Sequence, residues 1–205
     1  MKPAYWDRAK RALAQRDPVM REIIRCHPRT HLMSRGDAFQ TLARSIVGQQ
    51  ISVKAAQSVW ERVARAASPV TPQTVRALDA EALRGCGLSV RKAEYLGDLA
   101  REFAEGRVRA QRWAELDDEE VVADLVRLRG IGRWTAEMFL IFNLMRPDVL
   151  PCADLGLQRA VSLAYRRGRP VSEATIRRVA RDWRPWRSVA TWYLWRSLDP
   201  LPVEY

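Results

Sequence analysis

The stretch Leu128-Arg-Gly130-Ile131-Gly132-Arg133-Trp134-Thr135-Ala136 places two glycines one residue apart, just ahead of a helix-forming run. Glycines turn a chain sharply and leave its amides unshielded by β-carbons. Amides at the mouth of a new helix sit at the positive end of its dipole, an arrangement that receives a phosphate anion. Ile131 would anchor such a turn in the core, and Thr135 would add a hydroxyl contact. Gly-x-Gly by itself describes an ordinary tight corner between helices. The longer spacing Leu-x-Gly-x-Gly-x-x-Thr-Ala, flanked by helices in a basic chain, points to a nucleic-acid backbone. Asp154 stands at another predicted helix start, and the local sequence there reads first as an N-cap. Asp148, the nearby second acid, reads as solvated loop. Of eight tryptophans, Trp134 lies beside the glycine turn, while Trp60 reads as facing inward with Val59 and Val63.

The elements that must carry these residues are helical almost throughout. Helices are predicted from Pro3 to Gln15, from an Asp17-Pro18 cap, and from Asp37 with Phe39, Leu42, Ala43, Ile46 and Val47 on one face. Further starts lie at Ser52, Thr71-Pro72, Asp79, Ser89 and Asp117, the last with Glu120 as a capping box. The glycine turn follows that helix. Beyond it the pattern predicts helices over 134–145, 154–165, 172–183 and 186–197. No alternating strand pattern is present, so the expected class is all-α.

Lys and Arg number 35 against 24 Asp and Glu, a net charge of +11. Only four of the basic residues are lysine: Lys2, Lys10, Lys54 and Lys92. The excess favours a polyanionic partner. With no apolar run of spanning length and a charged amino terminus, nucleic acid is preferred over a membrane surface. Cys26, Cys86 and Cys152 are far apart, have no metal-type spacing and read as buried, reduced thiols of a cytoplasmic protein. His27 and His31 read as a turn between helices rather than a metal site.

Four segments in order carry a family resemblance: Leu128–Ala136, the loop Arg146–Ala160 with Pro147, Pro151 and then Asp154, the corner Ser45–Ser52 (SIVGQQIS), and Pro185–Trp195 (PWRSVATWYLW). Together they resemble the alkylation-repair branch of the helix–hairpin–helix DNA glycosylases, the DNA-3-methyladenine glycosylase II group. The resemblance implies two helical subdomains flanking a cleft, without the extra amino-terminal β-domain of some members. Residues 36–136 would form one, ending in the hairpin; residues 1–35 and 137–205 would form the other and carry the aspartate.

The activity implied is hydrolysis of the N-glycosidic bond of an alkylated purine flipped out of duplex DNA, leaving an abasic site during base excision repair. Asp154 then becomes the catalytic carboxylate, stabilising an oxocarbenium-like sugar and orienting a water; capping and catalysis are compatible. Trp134 and Trp195 become pocket walls, because an indole face attracts a cationic base. Met138 takes a pocket position where the family often has tyrosine. Gln49 and Gln50 are implied to enter the minor groove, with Gln50 as the wedge; without the resemblance they read as a polar loop. Gly130, Gly132, Arg133 and Thr135 are the implied DNA-backbone contacts. In the strand-cleaving branch a lysine follows the hairpin; Trp134 occupies that position here, and no lysine lies beyond Lys92, so no lyase activity is expected. The resemblance also implies a sodium or potassium ion on the backbone carbonyls of Val126, Leu128 and Ile131, with no cofactor required. The expected partner is double-stranded DNA containing alkylated bases, bound by a monomer. Rival readings are a non-catalytic helix–hairpin–helix DNA-binding module, a glycosylase for mispaired or oxidised bases, and, more weakly, an RNA or nucleoside hydrolase.

Overall fold

A computed structural model describes residues 2–34 and 36–198. The described residues are all-helical: α1 (Trp6–Arg16), α2 (Pro18–Cys26), α3 (Ala38–Gly48), α4 (Val53–Ala66), α5 (Pro72–Arg76), α6 (Ala80–Gly85), α7 (Val90–Ala104), a 3-10 turn (Ala110–Ala114), α8 (Asp118–Val126), α9 (Arg133–Phe142), α10 (Leu155–Arg166), α11 (Glu173–Val179) and α12 (Arg187–Leu198). None of these helices is long and apolar enough to cross a membrane.

The chain divides into two compact units. The described part of one is residues 36–139; that of the other is residues 2–34 with 140–198. In the first unit α7 is the central element, packed against α3, α5 and α6, while α3 also packs on α4. Phe39, Leu42 and Ile46 on α3, Leu96 on α7, and Val121 and Leu125 on α8 are all buried in this unit. An aromatic chain runs through this core, Phe39 to Phe103 (5.4 Å), Phe103 to Trp113 (6.5 Å) and Trp113 to Phe139 (5.1 Å). Edge-to-face pairs of this kind add to the stabilisation that burial alone supplies.

In the second unit α12 packs on α1, α2 and α10. It is buried over most of its length, from Ser188 to Leu194, so it reads as apolar all round rather than amphipathic. Asp17 organises the turn between α1 and α2: its Oδ1 accepts from the amides of Val19 and Met20, and its Oδ2 accepts from Tyr165 Oη (2.6 Å) and Trp183 Nε1 (2.9 Å). A carboxylate this buried is tolerated because it has several donors.

The caps at Asp17, Asp37, Ser52, Thr71, Asp79, Ser89, Asp117, Asp154 and Ser172 all accept from the amides of the first helical turn. Several helices are shorter than their periodicity predicts. α1 begins at Trp6, whose amide bonds the Pro3 carbonyl (3.0 Å). α9 stops at Phe142, where Met145 takes φ +56° and the Arg146 amide returns to the Leu140 carbonyl. α11 stops at Val179, and the following turn carries Trp183 inward to Asp17. After α9 and α11 tertiary bonds, Tyr5 Oη to the Met145 carbonyl (2.7 Å) and Trp183 Nε1 to Asp17, override local helix propensity. The 3-10 turn at 110–114, which buries Trp113, has no periodic signal because five residues are too few to show one. Cys86 and Cys152 are buried, but Cys26 is exposed at the last position of α2, against the expectation of three buried thiols.

Candidate active site

The glycine turn joins α8 to α9. Gly130 has φ +84°, a left-handed conformation that only glycine adopts cheaply. A β-carbon on Gly130 would also collide with the Tyr95 side chain, 2.6 Å from its Cγ. Tyr95 is held over the turn on α7, and the Arg129 guanidinium lies 5.6 Å from its ring centroid. Gly130 is thus required by the protein's own packing. Gly132 differs: it has no positive φ, it is exposed, and nothing lies within 4 Å of where its β-carbon would be. Ile131 between them is buried, as expected of an anchor.

The turn is braced from the α3–α4 corner. Gln49 Nε2 donates to the Gly130 carbonyl at 2.7 Å. Lys92 Nζ, from α7, donates to the carbonyls of Val47 (2.8 Å) and Gln49 (2.6 Å). A cation here satisfies carbonyls at the negative end of α3; partial burial pulls the Lys92 pKa below the ordinary lysine value. Gln50 follows with φ +57° and is exposed. The sequence pattern singles out neither Lys92 nor Tyr95, because each acts from α7, more than 30 residues from the atoms it holds in place.

Beside this corner is a cavity of about 460 Å³. Trp134 and Met138 on α9 line it, together with Thr135, Gly132, Gln49, Gln50, Ile51 and Trp60. Trp60 is therefore a cavity wall as well as a core residue. The guanidinium of Arg44 lies 5.4 Å from the Trp60 ring centroid, and its Nη2 donates to Gln57 Oε1 (2.9 Å). Met138 is 4% exposed and Thr135 4% exposed, so both present only an edge. Arg133 is exposed and forms ion pairs with Glu119 (2.5 Å) and Glu137 (3.3 Å). Val126 is exposed, and the Leu128 carbonyl accepts from the Ile131 amide (3.1 Å).

In the other unit Asp154 caps α10. Its Oδ1 accepts from the Leu157 amide at 2.6 Å and from Trp195 Nε1, on α12, at 2.7 Å. Both donors fix the carboxyl group at the positive end of the helix. Asp154 is 8% exposed. Trp195 is half-buried and stacks on Phe142, with centroids 5.9 Å apart and planes 12° from parallel. The structure thus joins Asp154 to Trp195 across 41 residues of sequence. The Pro-rich loop before Asp154 is clamped in turn. Asp148 pairs with Arg187 through Nε and Nη2 (2.7 and 2.8 Å) and accepts from the Arg187 amide. Asp148 is therefore a structural anchor rather than solvated loop. Its partner starts α12, 39 residues on, where local sequence gives no hint of the pair. Among the described residues no group of three or more His, Cys, Asp or Glu side chains gathers at metal-binding distance.

A model of the HhH-GPD superfamily of base excision DNA repair proteins matches residues 43–188. DNA-3-methyladenine glycosylase 1 of Schizosaccharomyces pombe is 32% identical over 169 residues, covering 80% of this chain and 74% of the relative. DNA-3-methyladenine glycosylase 2 of Escherichia coli is 33% identical over 180 residues, covering 82% of this chain and 60% of the relative. Among solved structures, the Schizosaccharomyces pombe 3-methyladenine DNA glycosylase in complex with abasic DNA superposes with a TM-score of 0.83 at 28% identity, covering 97% of this chain and 99% of that one. A DNA-3-methyladenine glycosidase from Bacillus halodurans gives 0.80 at 33% identity, covering 95% and 90%. With the match running from α3 through the glycine turn and Asp154 to the start of α12, the chain belongs to the HhH-GPD superfamily of base excision DNA repair proteins.

Proposed function

We propose that the chain is a monofunctional DNA glycosylase that removes alkylated purines of the 3-methyladenine and 7-methylguanine type from duplex DNA. The observation that carries the proposal is the buried Asp154 carboxylate, fixed by the Leu157 amide and the Trp195 indole. Cleaving the C–N bond leaves positive charge on the sugar, and a preoriented carboxylate stabilises it without reorganising. The same group can orient the attacking water. An alkylated purine carries positive charge on its ring, so it departs more readily than a normal base. It also gains from an indole face, about 0.5–2 kcal/mol; Trp134 supplies one in the cavity of the hairpin unit, with Met138 beside it.

The backbone of duplex DNA is received, in this reading, by the amides of the turn at Gly130 and Gly132, with Thr135 behind them. Arg133 contributes once it leaves Glu119. Gln50 serves as the wedge, and Gln49 braces the turn from inside. Lysine is absent beyond Lys92, and Lys92 is engaged at the α3 terminus, which supports hydrolysis without strand cleavage. The carbonyls of Val126, Leu128 and Ile131 would seat a sodium or potassium ion. Neutral oxygen donors at and just past the end of α8, with no cluster of metal-ligating side chains among the described residues, suit a monovalent cation better than a divalent one. The ion would stiffen the turn and takes no part in the chemistry.

The test is product release from duplexes that each bear one lesion. The expected result is free 3-methyladenine and 7-methylguanine and an intact strand until alkali is added. Release of mispaired or oxidised bases alone would replace this reading, and DNA binding without release of any base would reduce the protein to a non-catalytic module.

A further inference from the structure

We propose that Gly156 is a positioning residue for Asp154, acting through the Trp195 indole. The inference rests on the role given to Asp154 above. Gly156 is the second residue of α10 and has no left-handed φ. Helix propensity therefore favours alanine there, and glycine needs another reason. The reason is close approach. A β-carbon on Gly156 would stand 3.1 Å from Asp154 Oδ1, 3.1 Å from Trp195 Cδ1 and 3.2 Å from Trp195 Nε1. The missing methyl group is the space in which the indole N–H reaches the carboxylate.

Neither neighbour can yield without cost. Oδ1 is tied to the Leu157 amide at 2.6 Å, and the Trp195 ring is stacked on Phe142. With Oδ1 held by the helix amide, a methyl group would slide the indole N–H off it. A shift of a few tenths of an ångström at a reacting group is costly in rate, because near-attack geometry is strict.

The experiment uses Gly156→Ala in the full chain, with two readouts. The first is the indole region of the 1H–15N spectrum, in which the Trp195 Nε1–H signal is identified by its loss in Trp195→Phe. Asp154→Asn, which replaces the charged acceptor of this N–H by a neutral amide oxygen, marks the position of a weakened bond. In Gly156→Ala the signal is expected to move upfield, toward its position in Asp154→Asn, with Tm little changed because the helix propensity of alanine offsets the lost bond. The second readout is kinetic. We expect kcat on methylated duplex to fall about tenfold with KM within twofold, and the same substitution in a Trp195→Phe background to change kcat by less than twofold. A wild-type indole signal in Gly156→Ala, an equal kcat loss in the Trp195→Phe background, or a lower Tm in step with the lost activity would each overturn the inference. If the wild type released no methylated purine, the glycosylase reading would fail, and the indole spectrum alone would still decide whether Gly156 sets the Trp195–Asp154 bond.

Discussion

The glycine turn and the aspartate corner solve similar problems with different materials. The atoms proposed to receive DNA at the turn belong to the main chain, and side chains brace it: Tyr95 covers Gly130, Gln49 bonds its carbonyl, and Lys92 holds the corner that carries Gln49. The atoms proposed to do chemistry at the corner belong to one side chain, Asp154, which a helix amide and a distant indole hold still. Main-chain sites need residues that lack a side chain at fixed spacing, so they leave a local mark in sequence. Side-chain sites need partners that only folding brings together. The two should also fail differently when altered: the corner in chemistry, the turn in binding and stability.

The largest effect should come from the corner. Asp154→Asn keeps an oxygen that can accept from the Leu157 amide and the Trp195 indole, so the cap survives. It removes the negative charge. Turnover of methylated duplex is expected to fall by about 10³-fold, the scale of losing one principal electrostatic group. Duplex affinity should stay within about twofold, measured on an abasic-site analogue, because base excision and backbone contact are separate tasks. Turnover within tenfold of wild type would remove Asp154 from the mechanism and dissolve the contrast between the two regions.

Gly130→Ala tests the turn as structure. The left-handed φ costs about 1–2 kcal/mol with a β-carbon. The collision with the Tyr95 ring adds an overpacking cost of about 1–3 kcal/mol. A loss of roughly 3 kcal/mol is expected in urea unfolding, with binding lost in parallel. A variant less than 1 kcal/mol below wild type would mean that the turn can relax and that Tyr95 does not define it.

The aspartate-bearing unit has a pH signature of its own. Burial pushes the phenols of Tyr5 and Tyr193 up to about 12, against an unfolded value near 10. The Tyr5 hydroxyl also donates to the Met145 carbonyl at 2.7 Å. Below pH 10 both states hold these protons, and the tyrosines add no pH dependence. Between 10 and 12 the unfolded chain ionises while the folded one does not, so stability falls; above 12 the fall levels off. After allowance for residual solvent screening, about 1 kcal/mol per tyrosine is expected. Tyr5→Phe should flatten the stability curve between pH 10 and 12, and an unchanged slope would contradict the burial assigned to this phenol.

Legibility in sequence follows the same division. The helix starts could be read from Asp17, Asp37, Asp117 and Ser89 because a cap is a local bond within four residues. The helix ends at Phe142 and Val179 could not, because the loops after them are held by distant groups, the Tyr5 hydroxyl on the Met145 carbonyl and Asp17 on the Trp183 indole. In the site, the paired glycines were visible, but their different reasons were not: Tyr95 lies 35 residues before Gly130. Asp154 was visible as a cap, and the resemblance of the surrounding motif lifted it to a catalytic candidate. Gly156 was not, since a glycine in the first turn of a helix signals nothing until the indole beside it is known. Trp60 is buried with Val59 and Val63 as its spacing predicts, but its second role as a cavity wall could not be read from that spacing. Its helical face is the core face, and the cavity opens on that same face.

The smallest effect separates the two glycines. Gly132 has open space where its β-carbon would stand and no conformational need for glycine. Gly132→Ala should therefore leave unfolding free energy within about 0.5 kcal/mol of wild type, as for an exposed substitution that touches nothing. Gly130 is glycine for the protein's sake; on the proposed function Gly132 would be glycine for the ligand's, because a methyl group there would crowd a phosphate approaching the turn amides. Affinity for duplex DNA is expected to fall about fivefold, roughly 1 kcal/mol. The fall should show at low salt, where phosphate contacts dominate binding. Unchanged stability with weakened binding would place the phosphate on this side of the turn. Unchanged stability with unchanged binding would leave the turn a corner between two helices, and the positive charge of the chain would have to find its DNA elsewhere.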